Sequence, residues 1–151
     1  MPTHLTGPRA QRRTLDTFIK LTRCTDSLMA RIAERNTIGD LTFSQFAVLE
    51  ALYHLGPMTA GEVGQKILKS GGNMTLVIDN LERDGLVRRE RDSKDRRVIH
   101  VHLTESGKGK VEAVLPGHVA ALVEEFKVLS VKEQEMLGEL CKKLGRGRSS
   151  E

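Results

Sequence analysis

The sequence predicts a mainly α-helical fold carrying one small, basic β-hairpin, and three observations predict it. Aromatic residues make up only 3% of the chain and charged residues 29%, a balance that suits a Leu/Val/Ile/Met helical core and excludes a β-sandwich or a sugar-binding cleft. Apolar residues recur at helical spacing in six successive segments, most of them bracketed by capping or stop signals. One stretch, residues 86–107, breaks that pattern. In it Arg88, Arg89, Arg91, Lys94, Arg96 and Arg97 place six cations in ten residues against three acids, Glu90, Asp92 and Asp95. A strand-like run over 98–103 follows them.

The first helix spans about 9–36, with Leu15, Phe18, Ile19, Leu28, Met29 and Ile32 on its apolar stripe. The stripe has a polar middle at 22–26, so this helix calls for a partner beyond its own chain. Gly39 breaks it. Thr42 with Gln45 forms a capping box, flanked by Leu41 and Phe46 as a hydrophobic staple, and opens a second helix with Phe46, Leu49, Leu52 and Tyr53 inward. Gly56-Pro57 stops that helix. Thr59 with Glu62, flanked by Met58 and Val63, repeats the device for a short third helix ending near Leu68.

A fourth helix follows Ser70-Gly71-Gly72 and runs to about Asp84. Met74, Val77, Ile78 and Leu81 make one apolar stripe, while Gly72, Asn73, Leu76, Asp79, Asn80 and Arg83 face outward with Thr75 at the border. Gly85 closes it, as a left-handed glycine after a helix does. Thr104 caps a fifth helix to about Val128, with Val111, Val114, Leu115, Leu122 and Phe126 apolar and Pro116 predicted to kink it. Ser130 with Glu133 is a third capping box. It opens a sixth helix bearing Met136, Leu137, Leu140, Cys141 and Leu144, ended by Gly145. Helices two to four make a helix-turn-helix pattern, and the basic hairpin after them makes it the winged version.

At 151 residues the chain fits one domain with a real core, and no repeat or long linker divides it. The net charge is only +4, so what matters is its concentration in the hairpin and at the two termini. Cys24 and Cys141 are far apart and form no C-x-x-C pair, which suits a reducing cytoplasm and neither a disulfide framework nor a zinc knuckle. No signal peptide is apparent, and no apolar run approaches the roughly 18 residues of a membrane helix. There is no G-x-S-x-G, no P-loop and no metal-ligand cluster, so no enzyme, cofactor or metal is expected.

Asp92-Ser93-Lys94-Asp95-Arg96-Arg97, followed by Leu103-Thr104 and Gly107, resembles the wing signature of the MarR family of bacterial transcriptional regulators, D-x-R-D-R-R and then LT-x-x-G. Lys94 stands where the family usually has arginine, which keeps the charge. Leu41-Thr42-Phe43-Ser44-Gln45-Phe46 and the stretch 79–87, DNLERDGLV, also fit its helix-turn-helix core. The match covers about residues 12–145. It implies a homodimer in which the segments of about 9–36 and 105–145 are dimerisation helices and about 42–104 is the DNA-binding winged helix. It further implies a repressor, less often an activator, that leaves a palindromic operator when a small molecule or an oxidant binds. The stretch 72–89, with LYHLG before it, is similar to members that respond to quinones or other aromatic electrophiles.

On this resemblance the fourth helix enters the major groove of double-stranded DNA, which is about 12 Å wide and admits one helix. Ser70 and the amides of Gly71 and Gly72 suit a phosphate at the helix N-terminus. Asn73 and Thr75 can bond base edges or phosphates, and Leu76 can meet a thymine methyl. Asp79 also faces out, where it needs an arginine to neutralise it. Arg97 takes the wing-tip position that enters a narrow minor groove. Arg91, Lys94 and Arg96 serve the backbone, and Asp95 orients a neighbouring arginine. The competing readings are a winged helix used for protein–protein contact and a redox sensor built on Cys24. The first fits poorly, because protein interfaces deplete lysine and enrich aromatics. The second lacks a tyrosine near Cys24 in sequence. His100 and His102 share a strand face as a possible metal pair with no third ligand. His54 and His118 lie in helices and could approach the junction between the dimer helices and the DNA-reading unit, where the family binds effectors; the sequence does not say whether they do.

Overall fold

The computed structural model describes residues 6–67 and 71–147. The element order is α1 (Arg9–Glu34), α2 (Phe43–Leu55), β1 (Met58–Thr59), α3 (Ala60–Ile67), α4 (Gly71–Arg83), β2 (Val87–Arg91), β3 (Ile99–Leu103), α5 (Glu105–Phe126) and α6 (Val131–Arg146). The fold is mainly helical with a small antiparallel sheet, as the composition and periodicity predict. The chain divides into two compact units, Thr37–His118 and the remainder at either end.

The Thr37–His118 unit closes its own core. Val48, Leu49, Val63, Met74, Ile78, Leu81 and Val111 are fully buried, with Phe46, Leu52, Met58, Val87 and Val101 nearly so. Both predicted staples lie in this core, Leu41 with Phe46 and Met58 with Val63. The boxes behind them form as well. Thr42 Oγ1 accepts from the Gln45 N–H at 3.1 Å while Gln45 Oε1 accepts from the Thr42 N–H at 2.9 Å. Thr59 and Glu62 repeat the exchange at 3.2 and 2.7 Å.

Two details differ from expectation. The sheet has three strands, in the order β1-β3-β2, because Met58 and Thr59 pair with Val101 and His100. A two-residue strand is too short to show alternation, so it leaves no periodic signal. The last helix runs past Gly145 to Arg146 and is closed by Gly147, which takes the left-handed φ of 68° and donates its N–H to the Leu144 carbonyl. Helix formers on both sides carry α6 through Gly145.

The Leu103-Thr104-…-Gly107 motif has a plain structural meaning. Thr104 donates its hydroxyl to the Gly85 carbonyl at 2.7 Å and its N–H to the Leu86 carbonyl at 3.1 Å. The same hydroxyl accepts from the Gly107 N–H at 3.0 Å, capping α5. A Cβ on Gly107 would overlap the Leu86 carbonyl oxygen, so only glycine lets α5 start against the α4–β2 turn. Gly85 in that turn has φ 73°, the left-handed C′ position foreseen for it. Helix α5 continues through Pro116.

In the other unit, Glu125 accepts from Arg31 Nε and Arg35 Nη2, both at 2.5 Å, which ties α1 to the end of α5. Those two bonds hold the Glu125 carboxyl below the usual carboxylate range. Ser130 and Glu133 form the third capping box, at the head of α6. Yet Phe18, Met29, Val123, Val131, Met136, Leu140 and Leu144 remain exposed. The partial burial foreseen for the first helix holds for the sixth too.

Candidate nucleic-acid interface

Within the Thr37–His118 unit, α4 and the β2–β3 hairpin are linked by sequence and by side chains. Met74, Ile78 and Leu81 are buried, which leaves Asn73, Thr75, Leu76 and Asp79 exposed on the opposite side of the helix. Leu76 is 60% exposed, as Leu55 is at 58% in the same unit. Gly71 and Gly72 form the first turn of α4, so their N–H groups are among those a helix leaves without internal partners. Ser70, the expected N-cap, lies outside the described residues.

The hairpin pairs Val87 with Leu103, Arg89 with Val101 and Arg91 with Ile99, while Arg88 and Glu90 oppose His102 and His100. Strand periodicity therefore sends Val87, Arg89 and Arg91 to the side of buried Val101. Arg88, Glu90, His100 and His102 fall on the other side. Between the strands, the turn is organised by Asp92. Its Oδ1 accepts the N–H groups of Lys94 and Asp95 at 2.8 and 2.9 Å, and its own N–H donates to the Val98 carbonyl. Those amides of Asp95 and Lys94 hold the Asp92 carboxyl below the ordinary value.

Asp95 grips Arg97. Arg97 Nε and Nη2 each donate to one Asp95 carboxylate oxygen at 3.1 Å, and the Arg97 N–H adds a third bond at 3.1 Å. The side chain of Arg97 is nonetheless 90% exposed, so its guanidinium stands in solvent with its orientation set. The pairing lowers the Asp95 carboxyl and raises Arg97. Arg91 braces the same turn, donating Nη1 to the Arg96 carbonyl at 2.7 Å. Lys94 and Arg96 are exposed. Of the four hairpin cations given a DNA-contacting role by sequence, Arg91 thus has a structural bond in the turn, Arg97 is oriented by a carboxylate, and Lys94 and Arg96 face solvent.

Sequence reasoning missed Arg89. It donates Nη2 to Asp79 at 2.6 Å and Nη1 to Glu82 at 2.9 Å, and its backbone N–H donates to Glu82 Oε2 at 2.7 Å. This is the arginine that the outward carboxylate of Asp79 required. The signal was available: in the strand register Arg89 shares a face with Val87, the face that meets the core.

The remaining candidates are placed as follows. His100 Nε2 lies 3.4 Å from Asp92 and His102 Nε2 3.6 Å from Glu90. Among the described residues no group of three or more His, Cys, Asp or Glu is arranged to hold a metal ion. His118 is buried, bonded to the Thr37 hydroxyl at 2.9 Å and set edge-on against Phe46. His54 is exposed and lies edge-on to Tyr53. Cys24 and Cys141 are exposed free thiols. No helix among the described residues is long and apolar enough to cross a membrane.

Known proteins share this arrangement. Residues 41–99, from the capping box of α2 to the wing, match the model of the MarR family. The HTH-type transcriptional regulator MhqR of Bacillus subtilis is 37% identical over 133 residues, covering 88% of this chain and 92% of that protein. YkoM, another HTH-type transcriptional regulator of Bacillus subtilis, is 42% identical over 102 residues, 68% of this chain and 66% of its own length. Among solved structures, a MarR family protein from Bacillus stearothermophilus superposes with a TM-score of 0.67 at 30% identity, covering 89% of this chain and 94% of that one. A hairpin of this charge beside an outward polar helix, in a chain that aligns with MhqR over 88% of its length, identifies the chain as a member of the MarR family of winged helix-turn-helix, DNA-binding transcriptional regulators.

Proposed function

We propose that the protein is a cytoplasmic, homodimeric repressor that binds a palindromic operator and releases it when a small aromatic effector or an oxidant binds. The observation that carries this reading is the pairing of α4 with an oriented wing in one self-contained unit. The outward face of α4 offers Asn73, Thr75 and Leu76 to the major groove, and Gly71 and Gly72 offer amides to a phosphate. The wing offers Arg97, already oriented by Asp95, to the minor groove, where an inserted arginine gains from the negative potential of narrow A·T-rich segments. Lys94 and Arg96 are exposed on the same turn and suit the backbone. Arg91 keeps donors beyond the one it gives to Arg96.

The exposed apolar residues of α1 and α6 support the dimer. A helix with Phe18 and Met29 outside, and another with Met136, Leu140 and Leu144 outside, gains by covering that surface against a second copy. Two-fold symmetry then puts two wings and two α4 helices on half-sites about one helical turn apart. The quinone or aromatic class of the effector rests on the stretch from Gly72 to Arg89 and its likeness to members with that response.

A gel shift with DNA from upstream of the protein's own gene tests the reading. The expected result is a discrete complex that dissociates on adding salt, with a log–log slope of about −0.9 per phosphate contact. A chain that binds no duplex above the level of a shuffled one overturns it, and leaves the winged helix as a protein-contact module. Release of the complex by a quinone from wild type and from Cys24→Ser alike separates a bound effector from a cysteine sensor.

A further inference from the structure

Arg89 sits where two candidate DNA-contacting elements are held together, and α4 offers it two carboxylates on one turn of helix. Asp79 and Glu82 are three residues apart on α4, so their side chains emerge on one side of it. Arg89 projects from β2 on the face shared with Val87 and Val101, which are 2% and 1% exposed. Its planar guanidinium forks across both acids, with Nη2 on Asp79 at 2.6 Å and Nη1 on Glu82 at 2.9 Å. Its backbone N–H takes the other Glu82 oxygen at 2.7 Å. The side chain is 27% exposed. Burial works against the charge on Arg89, but the bonds to Asp79 and Glu82 outweigh it and raise the guanidinium above its ordinary value.

We propose that Arg89 is a positioning residue whose clasp on Asp79 and Glu82 fixes the wing relative to α4, and thereby sets sequence discrimination more than raw affinity. The inference rests on the DNA-reading proposal above and deepens it. Phosphate contacts supply affinity whatever the sequence, whereas base contacts in two grooves must be met at once and so demand a fixed spacing. Lysine can keep the charge at position 89, but a single ammonium cannot span two carboxylates as a fork does. The Glu82 bond to the Arg89 backbone survives that change and keeps the strand attached. Asp79 gains from the clasp as well, since its carboxylate would otherwise face phosphate without a counter-charge.

The test uses the full chain and two duplexes: one selected by the wild-type protein from a randomised pool, and a shuffled duplex of the same base composition. For Arg89→Lys, affinity for the selected duplex is expected to fall about tenfold or more, the scale of one lost base pairing. Affinity for the shuffled duplex should stay within about twofold and the salt slope should not change, because no phosphate contact is removed. Asp79→Asn should shift the same ratio in the same direction by less, since Glu82 still holds Arg89. The double variant should be no worse than Arg89→Lys alone, because both changes break one clasp. Asp79 is exposed on α4, so its variant carries the test if Arg89→Lys fails to fold by circular dichroism. Parallel losses on both duplexes, with a slope shallower by about 0.9, would make Arg89 a phosphate contact and overturn the proposal. Unchanged affinity on both would overturn it equally. If the wild-type chain selects no duplex at all, the DNA-reading proposal fails first and the clasp goes with it.

Discussion

The two compact units treat their apolar residues in opposite ways. In the Thr37–His118 unit, Val48, Leu49, Val63, Met74, Ile78 and Leu81 are 0% exposed. In the other unit Ile32 and Ala121 are the buried apolar residues among those described, while Val128, Val131 and Leu144 stand 85%, 74% and 65% exposed. The amphipathic pattern of α6 is as clear as that of α4, yet only α4 has a core to bury it in. The central unit is thus complete as a folded object. The terminal helices hold surface that, at about 25 cal/mol per Å² of apolar area, favours burial that this chain does not supply.

The contrast can be broken first by deleting the same leucine atoms on each side. Leu49→Ala removes a fully buried side chain from the central core and should cost about 2–5 kcal/mol, seen as a lower denaturation midpoint at every protein concentration. Leu140→Ala removes an exposed one. Its cost, about 1–3 kcal/mol, should appear in the dimer dissociation constant measured by sedimentation and fade at high protein concentration. Should Leu140→Ala leave the dissociation constant unchanged, the terminal helices are not the dimer surface.

A second pair sharpens the comparison within the central unit, between its core and its charged edge. Arg97→Ala should weaken operator binding by about 1–3 kcal/mol, roughly ten- to a hundredfold. Its effect on stability should stay within about 0.5 kcal/mol, because the side chain is 90% exposed and packs on nothing in the core. Comparable losses in melting and in binding would mean that Arg97 holds the wing together and does not read DNA.

How much of this was legible in the sequence depends on how far apart the partners lie. The capping boxes at Thr42, Thr59 and Ser130 span three residues each, so their residue types announce them, and all three form. Gly85 and the Thr104–Gly107 motif are local in the same sense. The Arg89 clasp joins residues seven and ten apart, across a helix end and into a strand, so finding it needs the strand register as well as the pattern. Thr37 and His118 are 81 residues apart, and nothing in the local sequence of either announces the bond between them. Strand β1 was invisible for the opposite reason: two residues carry no period. In the candidate interface, residue types pointed to the hairpin cations, while the bonds that set Arg91 and Arg97 apart from Lys94 and Arg96 are visible only in the geometry. Arg91 shows this, since the same residue type that suits a phosphate here closes a turn.

The smallest expected effect concerns pH, and it separates the two units once more. Asp92 in the wing and Glu133 at the head of α6 are both held below the ordinary carboxylate range by backbone amides, those of Asp95 and Lys94 for the first and that of Ser130 for the second. A carboxyl whose folded value is depressed adds stability that is present above its unfolded value, about 4, and is lost as the pH falls through the folded value. Both bonds should therefore weaken as pH drops from about 5 toward 3. The consequences differ, because Asp92 organises the turn that carries Arg97, and Glu133 caps a helix. Asp92→Asn keeps an acceptor oxygen for the turn amides and removes the titration. Amide exchange at Lys94 and Asp95 should then lose its acid-dependent acceleration in Asp92→Asn and keep it in Glu133→Gln, after correction for intrinsic rates. Identical profiles in wild type and Asp92→Asn would show that the wing turn is held by its backbone bond from Asp92 to Val98 and not by the carboxylate.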